Sequence, residues 1–485
     1  MVEHRITGLL CAALGTAAGF YFLSSLAFSA AVAIIVMSVF ALCFFRVLAS
    51  LRQERVMRIR SCCMTALAAG LFFGLCASVA GRAAVSFGIP PDKVSAIEGI
   101  LLEDPRIISG GRALASLSLR RSAGEGSLRV DSSGEITVFF SQQSAQKLRQ
   151  SGRGTVVFAE GKIRSNDSGY TFSAESLHIV KRASPVERMR TSVRLNLIKR
   201  FDGKTWGGLA LALLVGIKDN LDTDLAAMYR DSGCSYILAL SGMHLAVLAG
   251  LIAFLLRKPL GLKLSAVTGA AIIILYCFLV GPMPSLNRAA LMYILTVIAI
   301  LGALPKKPQS ILALSFLIQI TATPQAGNSI SFVLSYLALA GIFIIGQPLY
   351  SLVSGKVPNF IIQPLSASAG AFLATAGVTC FVFGVIAPAG IVTGLVLVPL
   401  TTVFMTGSML WLLLDIFSLS GFLNLPLSLL YRLMEKIVSL SGNIPALASI
   451  NPVLIFTLSV MLSLLIVFLE YKRRVSLLRL EPFIT

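Results

Sequence analysis

Long apolar segments constrain what this chain can fold into more than any other feature of its sequence. Of its 485 residues, 56% are hydrophobic and 13% are charged, and the mean hydropathy is +0.85. A helix needs about 20 apolar residues to cross a hydrocarbon core of roughly 30 Å, so the sequence predicts a polytopic α-helical membrane protein with about 10 to 12 spans. The candidate spans are 8–24, 26–45, 62–80, 235–256, 264–281, 287–304, 309–323, 330–346, 364–387, 390–414, 425–445 and 452–469.

Basic residues in the loops predict how these spans are oriented. Loops rich in Lys and Arg stay on the cytoplasmic side of a membrane. With the loop after the second span inside, the later basic loops and both chain termini also face the cytoplasm. The net charge of +19 follows from the same bias, so it does not by itself require an anionic partner. The loop contains Arg46, Arg52, Arg55, Arg58 and Arg60.

A polar segment at residues 86–182 interrupts the apolar pattern. It contains short runs of alternating or β-branched residues separated by Gly and Ser, which is typical of strands. Five strands in about 90 residues fit a small all-β domain of OB-like type, and a fragment of a β-sandwich is the alternative. Because the segment follows the third span, we expect it on the extracytoplasmic side. The predicted strands are 94–102, 112–121, 134–140, 153–164 and 169–181.

Residues 183–205 predict a basic amphipathic helix. This pattern is typical of a helix that lies on a membrane surface, and a rail for DNA phosphates is the alternative. The apolar segment that follows, 206–217, is too short to assign as a span. The predicted apolar face is Val186, Met189, Val193, Leu197 and Phe201, and the basic residues are Arg188, Arg190, Arg194, Lys199, Arg200 and Lys204.

Two polar residues and a glycine interrupt the span predicted at 235–256, within "LALSGMHLAVL". Ser241 and His244 share a helix face, and Gly242 permits close helix contact or a local break. Polar groups at membrane depth need partners or a watery cavity. Local hydrogen bonds and contacts between helices would provide such partners. An intramembrane hydrolase built on Ser241 and His244 is a weaker hypothesis, because Ala239 stands where a Gly-x-Ser-Gly pattern would have glycine.

A second polar segment is "GPMPSLNRAALM", residues 281–292. Its prolines break one span, and Ser285, Asn287 and Arg288 stand at the start of the next helix. An arginine at this depth either extends to the interface or lines a path for an anion. A third segment, "SFVLSYLALAGI" at 331–342, contains Ser335 and by itself indicates close helix packing.

The sequence predicts no catalytic residues, no metal site and no cofactor. Its three histidines are too few for a multi-histidine metal centre. The "GKT" at 203–205 does not complete a phosphate-binding loop, because Ile198 stands where the first glycine is required. The eight cysteines lie almost all in apolar segments and predict no disulfide framework.

Taken together, the segments at 213–252, 281–292 and 331–342 resemble the ComEC family of competence-type DNA uptake channels in their order and spacing. The resemblance covers roughly 60–470 and includes the external OB-like domain. Val333 departs from the family pattern, which has Gln there, while Phe332, Leu334 and Ser335 agree. The resemblance places the following residues in the channel core: Ser241, Gly242, His244, Ser285, Arg288, Ala289 and Met292.

The resemblance implies a multi-pass protein of the bacterial cytoplasmic membrane that translocates single-stranded DNA during natural transformation. Many family members continue into a metallo-β-lactamase-like domain, and this sequence resembles the form without it. The implied partners are membrane lipids, single-stranded DNA, a DNA receptor, a separate nuclease, and a cytoplasmic helicase or single-strand binding protein. A transporter or exporter of another polyanion or of a small molecule on the same scaffold is the alternative.

In this interpretation the OB-like domain would hold the strand by base stacking and phosphate contacts. The domain boundaries are predicted at 1–85, 86–182, 183–205, 206–470 and 471–485. They correspond to N-terminal spans, OB-like domain, interfacial helix, channel domain and cytoplasmic tail. The DNA-binding candidates are Arg120, Arg121, Arg129, Phe139, Phe158, Lys162, Arg164, Tyr170 and Phe172.

Overall fold

The computed structural model describes two compact units, which we treat separately. One unit is Val79–Leu221, and the other combines Asp222–Thr485 with the N-terminal residues. The predicted spans 26–45 and 62–80, and the basic loop between them, lie outside the described residues. The described residues are 12–17, 20, 85–108, 111–124, 129–148, 151–166, 169–281, 283–442, 444, 447–448 and 451–480.

The first unit contains a closed five-stranded barrel. Its strands follow one another around the barrel in the order β1–β2–β3–β5–β4, and β4 pairs with β1 to close it. Strands β3 and β5 are parallel and the other neighbours are antiparallel. A short helix, α1 (Gln142–Leu148), connects β3 to β4. This is the predicted OB-like domain, with strands β1 Ala96–Leu101, β2 Ala113–Ala123, β3 Glu135–Phe140, β4 Val156–Asn166 and β5 Gly169–Lys181.

Alternating side chains fill the barrel interior. Along β2, every second residue from Ala113 to Leu119 is buried and the intervening residues are half-buried, as expected for a strand with one face toward a core. Gly161 on β4 lies opposite a bulge in β5, where Glu175 is the extra residue, and a Cβ atom on Gly161 would lie 2.0 Å from the carbonyl oxygen of Ser173. The curvature that closes the barrel therefore requires glycine at this position.

Helix α2 (Pro185–Phe201) is fixed to the barrel by buried ion pairs. Asp104, in the loop after β1, accepts from Arg190 at 2.5 Å and from Arg194 at 2.6 Å. Glu187 accepts from Arg190 at 2.9 Å and from Arg153 at 2.7 Å. These arginines neutralise carboxylates of their own unit. The alternative interpretation of α2 as a phosphate rail therefore loses Arg190 and Arg194.

Three residues of the predicted apolar face of α2 are exposed. Val186, Met189 and Val193 are 56%, 60% and 40% exposed. Phe201, which the sequence predicts on the same face, is instead buried against Trp206, with ring centroids 5.7 Å apart. The predicted apolar face therefore does not continue to Phe201, because α2 ends at this residue and the chain turns there into α3 (Gly207–Val215).

The second unit is a bundle of mostly apolar helices. Within the described residues, six helical segments are long and apolar enough to cross a membrane: Gly242–Val280, Pro284–Leu301, Ile330–Val353, Asn359–Phe383, Ala389–Asp415 and Pro452–Arg473. With the barrel, they make this chain a polytopic α-helical membrane protein. The helices are α4 Thr223–Asp231, α5 Ser235–Leu238, α6 Gly242–Val280, α7 Pro284–Leu301, α8 Pro308–Ala322, α9 Ile330–Gly341, α10 Asn359–Phe383, α11 Ala389–Asp415, α12 Asn424–Gly442 and α13 Pro452–Leu480.

Helix α6 consists of two segments joined by a sharp break. Gly261 has φ 71° and ψ 176°, and Pro259 lies just before it. Beyond the break the chain folds back, because a Cβ atom on Gly269 would lie 3.6 Å from Cγ2 of Ile252. The two segments correspond to the separate spans predicted at 235–256 and 264–281.

Two further predicted spans differ from the long apolar helices. Helix α8 has 15 residues, and α12 carries Arg432, Glu435 and Lys436 near its middle. The spans predicted at 309–323 and 425–445 are therefore not among the six segments that are long and apolar enough to cross a membrane.

Helix α9 continues through a π-helical turn at Ile342–Gly346 to Val353.

Part of the first predicted span packs into this bundle. Ala13, Ala17 and Phe20 are buried against side chains of α8 and α9. Val333, the residue that departs from the family pattern, is 3% exposed in the same core. An apolar residue at this position therefore fits its surroundings.

Candidate functional site

The predicted Ser-Gly-Met-His segment forms a helix start within the apolar unit. Helix α5 ends at Leu238, Ala239 is extended, and Ser241 is the N-cap of α6 with φ −132° and ψ 178°. The span predicted from 235 therefore begins later, at Gly242. The break occurs where the Ser241 side chain competes with the helix for hydrogen bonds.

Ser241 and His244 form a reciprocal cap. The Ser241 hydroxyl oxygen accepts from the backbone N–H of Met243 at 3.3 Å, and His244 Nδ1 accepts from the backbone N–H of Ser241 at 3.1 Å. Because Nδ1 accepts this hydrogen bond, the proton of a neutral imidazole is on Nε2. The side chain of His244 has no exposed surface, and Nε2 has no hydrogen-bond partner within the described residues. His244 therefore holds an unused donor.

Arg288, in the second turn of α7, is the charged residue of the site. It is 5% exposed, and its Nη1 donates to the main-chain oxygen of Ser335 at 2.6 Å. Its guanidinium carbon lies 5.7 Å from the ring centroid of Tyr336, a cation–π distance. Within the described residues Arg288 has no carboxylate partner, and Nε has no hydrogen-bond partner. A buried positive charge is thus left without a counter-charge.

Gly242 brings α6 against Arg288. A Cβ atom on Gly242 would lie 3.4 Å from Nη2 of Arg288 and 3.7 Å from Cβ of Ala289. The structure therefore brings Gly242, Arg288, Ala289 and Ser335 together, as the sequence predicts for a common site. Ser335 contributes its main-chain oxygen.

Asn287 and Ser285, also predicted for the site, are placed differently. Asn287 is exposed and Ser285 is half-buried, and neither is bonded to Arg288 within the described residues. Helical geometry turns Asn287 about 100° away from Arg288. These two residues stay outside the cluster described here.

Tyr336 connects the site to α8 and was missed by sequence reasoning. Its hydroxyl donates to Gln319 Oε1 at 2.8 Å and lies 3.2 Å from the hydroxyl of Ser315. Its ring packs against Phe316 and Phe332. The available signal was a polar Gln319 in the otherwise apolar α8, one of the rare groups at this depth that need a partner.

Three helices contribute residues to this cluster from their amino-terminal halves. Gly242 is the first residue of α6, Arg288 is in the second turn of α7, and Ser335 is in the second turn of α9. Backbone N–H groups at helix amino termini carry partial positive charge. This effect is confined to the first turn of a helix, so of the three helices α6, which begins at Gly242, adds to the positive charge of Arg288. The region is therefore suited to a negatively charged group.

On the barrel, three of the predicted DNA-binding residues share one face. Lys162 on β4 is opposite Ser173 on β5, which is opposite Phe139 on β3. Arg164 lies two residues from Lys162 along β4 and is exposed like it, while Phe139 is half-buried. Residues directly opposite each other project to the same side of a sheet. The face thus combines an aromatic ring with two cations, and Arg120 is exposed on neighbouring β2.

The other predicted aromatics have partners within the barrel unit. Phe172 has no exposed surface and belongs to the barrel core, so its assignment as a stacking residue is wrong. Tyr170 packs edge-on against Phe87, with ring centroids 5.5 Å apart. Arg129 covers Phe158 at 4.6 Å from its centroid. Phe139 is therefore the best placed of these rings.

Two of the predicted cations are already paired. Arg129 donates to Glu98 at 3.0 Å, and Arg121 lies 3.6 Å from Asp131. Both pairs are partly exposed, so they hold the side chains only weakly. Lys162 and Arg164 have no ion pair within the described part of the unit, which favours their face for phosphate contacts.

Comparison with known proteins agrees with this architecture. The model of the Competence protein family matches residues 213–474, more than half of the chain. ComE operon protein 3 of Bacillus subtilis (strain 168) is 27% identical over 164 residues, which cover 32% of this chain and 21% of that protein. The matched region is thus about a fifth of that relative's length. No solved structure matches the chain. The chain belongs to the ComEC family of competence proteins.

Proposed function

We propose that this protein is a channel that carries single-stranded DNA across the cell membrane during natural transformation. The observation that carries the proposal is Arg288, a buried cation without a carboxylate partner within the described residues, which lies beside the amino terminus of α6 inside an apolar bundle. A strand with a charge at every phosphate needs a hydrated and positively biased path. Family membership supports DNA uptake as the process. We also propose that both termini are cytoplasmic and that the barrel is outside.

The barrel would receive the strand before it reaches the bundle. Its β3–β4–β5 face offers Phe139 for base stacking, with Lys162 and Arg164 for phosphates. Stacking on aromatic side chains tolerates any base, which suits uptake of DNA of arbitrary sequence. A DNA receptor, a separate nuclease and a cytoplasmic helicase or single-strand binding protein would complete the process.

The test is a deletion strain complemented with variants. Deletion should abolish chromosomal transformation while DNA still binds to the cell surface and internalised single strands disappear. Complementation with His244→Ala or Arg288→Ala should fail at normal membrane levels of the protein. Arg230→Ala, which removes a charge from a side chain that is 75% exposed, should restore transformation. Normal transformation in the deletion strain would refute the channel.

An intramembrane hydrolase is the second candidate, because the Ser241 hydroxyl lies 3.1 Å from His244 Nδ1. The same Nδ1 accepts from the Ser241 backbone, so the contact also serves as a helix cap. Ser241→Ala removes the nucleophile but retains the backbone hydrogen bond. Full transformation with Ser241→Ala would rule out the hydrolase. Because Ser241→Asn keeps an N-cap acceptor but no hydroxyl nucleophile, a loss with Ser241→Asn would favour the hydrolase and full transformation would favour the cap.

A further inference from the structure

We propose that Arg288 binds one phosphodiester group on the side of its guanidinium that faces Gly242. This inference deepens the channel proposal and rests on it for the identity of the strand. The first argument is the inventory of hydrogen bonds. Nη1 is used by Ser335, Nε is buried without a partner, and Nη2 faces Gly242. Among the donors left over, those of Nε and Nη2 form one edge of the guanidinium.

That edge matches the geometry of a phosphate group. A guanidinium binds carboxylate or phosphate through two parallel N–H···O bonds. No carboxylate occupies the edge within the described residues, so the charge of Arg288 is uncompensated. A buried cation of this kind is strongly destabilising unless an anion pairs with it. The free protein thus retains a buried charge for which a phosphodiester oxygen pair is the complementary partner.

The surroundings of the edge also supply donors rather than acceptors. The amino terminus of α6 begins at Gly242 beside Nη2, and helix amino termini bind phosphate through backbone N–H groups. Because Gly242 has no side chain, no Cβ atom covers Nη2 from the side of α6, where one would lie 3.4 Å away. Within the described residues, the acceptor bonded to Arg288 is the main-chain oxygen of Ser335, and it contacts Nη1. The side that faces Gly242 therefore presents donors, which suits an anion.

Ser335 and Tyr336 explain why the guanidinium is held in this orientation. Nη1 is bonded to the Ser335 oxygen, and the Tyr336 ring lies against one face of the guanidinium. The hydrogen bond to Ser335 and the contact with the Tyr336 ring together fix the plane of the guanidinium before a phosphate binds. A lysine would retain the charge but not the planar edge. The site therefore distinguishes Arg from Lys.

Affinity for a labelled oligodeoxynucleotide tests the proposal, with the purified full-length chain in phosphatidylcholine nanodiscs. Arg288→Gln should weaken binding about tenfold, the loss expected for a charge-assisted pair of hydrogen bonds. Arg288→Lys should lose less. Arg230→Gln, which removes one exposed positive charge, should stay within about twofold of the original chain, as a screened surface charge does. A methylphosphonate oligomer, whose backbone is uncharged, should bind the original chain and Arg288→Gln equally.

A second variant covers the case in which Arg288→Gln fails to fold. Gly242→Val adds a side chain in front of Nη2 without removing the charge, and it should weaken oligonucleotide binding as Arg288→Gln does. Unchanged affinity in correctly folded Arg288→Gln or Gly242→Val would overturn the proposal. A loss that persists with the methylphosphonate oligomer would overturn it as well.

Lipid headgroups offer the same phosphodiester chemistry as DNA. Repeating the titration with phosphatidylglycerol in the nanodiscs separates the two sources. If the lipid lowers oligonucleotide affinity only when Arg288 is present, the headgroup occupies the site, and if it does not, the strand is the ligand. Normal binding by Arg288→Gln with failed transformation would refute this site and leave the channel. Weakened binding by Arg288→Gln together with normal transformation in the deletion strain would support this site and refute the channel.

Discussion

At the residue scale, Asp104 shows how one carboxylate stabilises the barrel unit. It pairs with Arg190, whose side chain is 2% exposed, and with Arg194. Asp104→Ala removes one of the carboxylates that pair with the buried Arg190, and we expect the unit to lose about 3 kcal/mol of stability. Thermal unfolding of the full chain, with proteolysis at α2 as a local readout, measures the loss.

The neighbouring Glu103 provides the control. It pairs with Arg106 at 2.9 Å, but the two side chains are 48% and 59% exposed. Glu103→Ala should cost less than about 1 kcal/mol, as surface pairs do. Equal losses for Glu103→Ala and Asp104→Ala would show that burial does not determine the strength of these pairs.

Cys234 gives a prediction about pH. Burial raises the pKa of its thiol to about 11, and the side chain has no exposed surface. The reactive species is the thiolate, so at pH 8 Cys234 should be alkylated far more slowly than a cysteine introduced at exposed Ser192. The rate should rise until the pH passes the raised pKa. Mass spectrometry of the modified peptides measures both rates, and equal rates at pH 8 would contradict the buried placement.

The residues of the site were only partly predictable from sequence. His244 and Arg288 were identifiable because polar groups are rare at membrane depth. Tyr336 was not, because a tyrosine in an apolar helix gives no sign of which neighbours its hydroxyl meets. Phe172 was assigned wrongly although the residues that alternate with it, Thr171, Ser173 and Glu175, are polar and indicate that its side chain faces inward.

At the element scale, α9 and α10 cross so closely that only glycine fits. A Cβ atom on Gly370 would lie 2.6 Å from the nitrogen of Gly346 and 2.7 Å from the oxygen of Gly341. We expect Gly370→Ala to destabilise the bundle by about 1 to 3 kcal/mol, the usual cost of overpacking. Thermal stability of the detergent-solubilised chain measures it.

Gly250 on α6 is the matched control for this substitution. No atom lies within 4 Å of a Cβ atom placed there, so Gly250→Ala should leave the bundle unchanged or slightly more stable, since alanine favours a helix. A similar loss for Gly250→Ala would mean that the crossing of α9 and α10 is not the cause.

The face formed by β3, β4 and β5 predicts which barrel aromatic contacts DNA. Phe139→Ala should reduce the affinity of the full chain for an oligodeoxynucleotide by about 1 to 3 kcal/mol, the range for loss of one stacked base. Phe158→Ala should have a smaller effect, because Arg129 already covers that ring. Anisotropy titrations measure both, and a larger loss for Phe158→Ala would move the binding face to β1 and β4.

Element positions followed from the sequence more closely than element ends. The five strands and most apolar helices were predictable from period and length. The start of α6 was not, because Leu238 to Ser241 are compatible with a continuing helix until the cap at Ser241 is formed. The face of α2 that meets the barrel was also unpredictable, since it depends on Asp104, which lies far away in sequence.

At the scale of the whole molecule, composition and motif order were enough to predict the class and the family. Apolar runs predicted a membrane protein and the polar insertion predicted the barrel. The order and spacing of three short motifs indicated the ComEC family. What remained out of reach was the meeting of those motifs at Arg288. Such contacts depend on how α6, α7 and α9 pack together, and the spacing of motifs along the sequence does not predict that packing.

Within the described residues, the five barrel strands and the two short strands Arg106–Ile107 and Val130–Asp131 pair with one another, and all of them lie within residues 96–181. Synthesis therefore finishes this unit while Asp222 and everything after it are still to be made. Domains generally fold in order as they leave the ribosome. The barrel can mature ahead of the bundle, and an error in the later helices cannot undo its strand pairing. Quality control of the two halves is thereby separated in time.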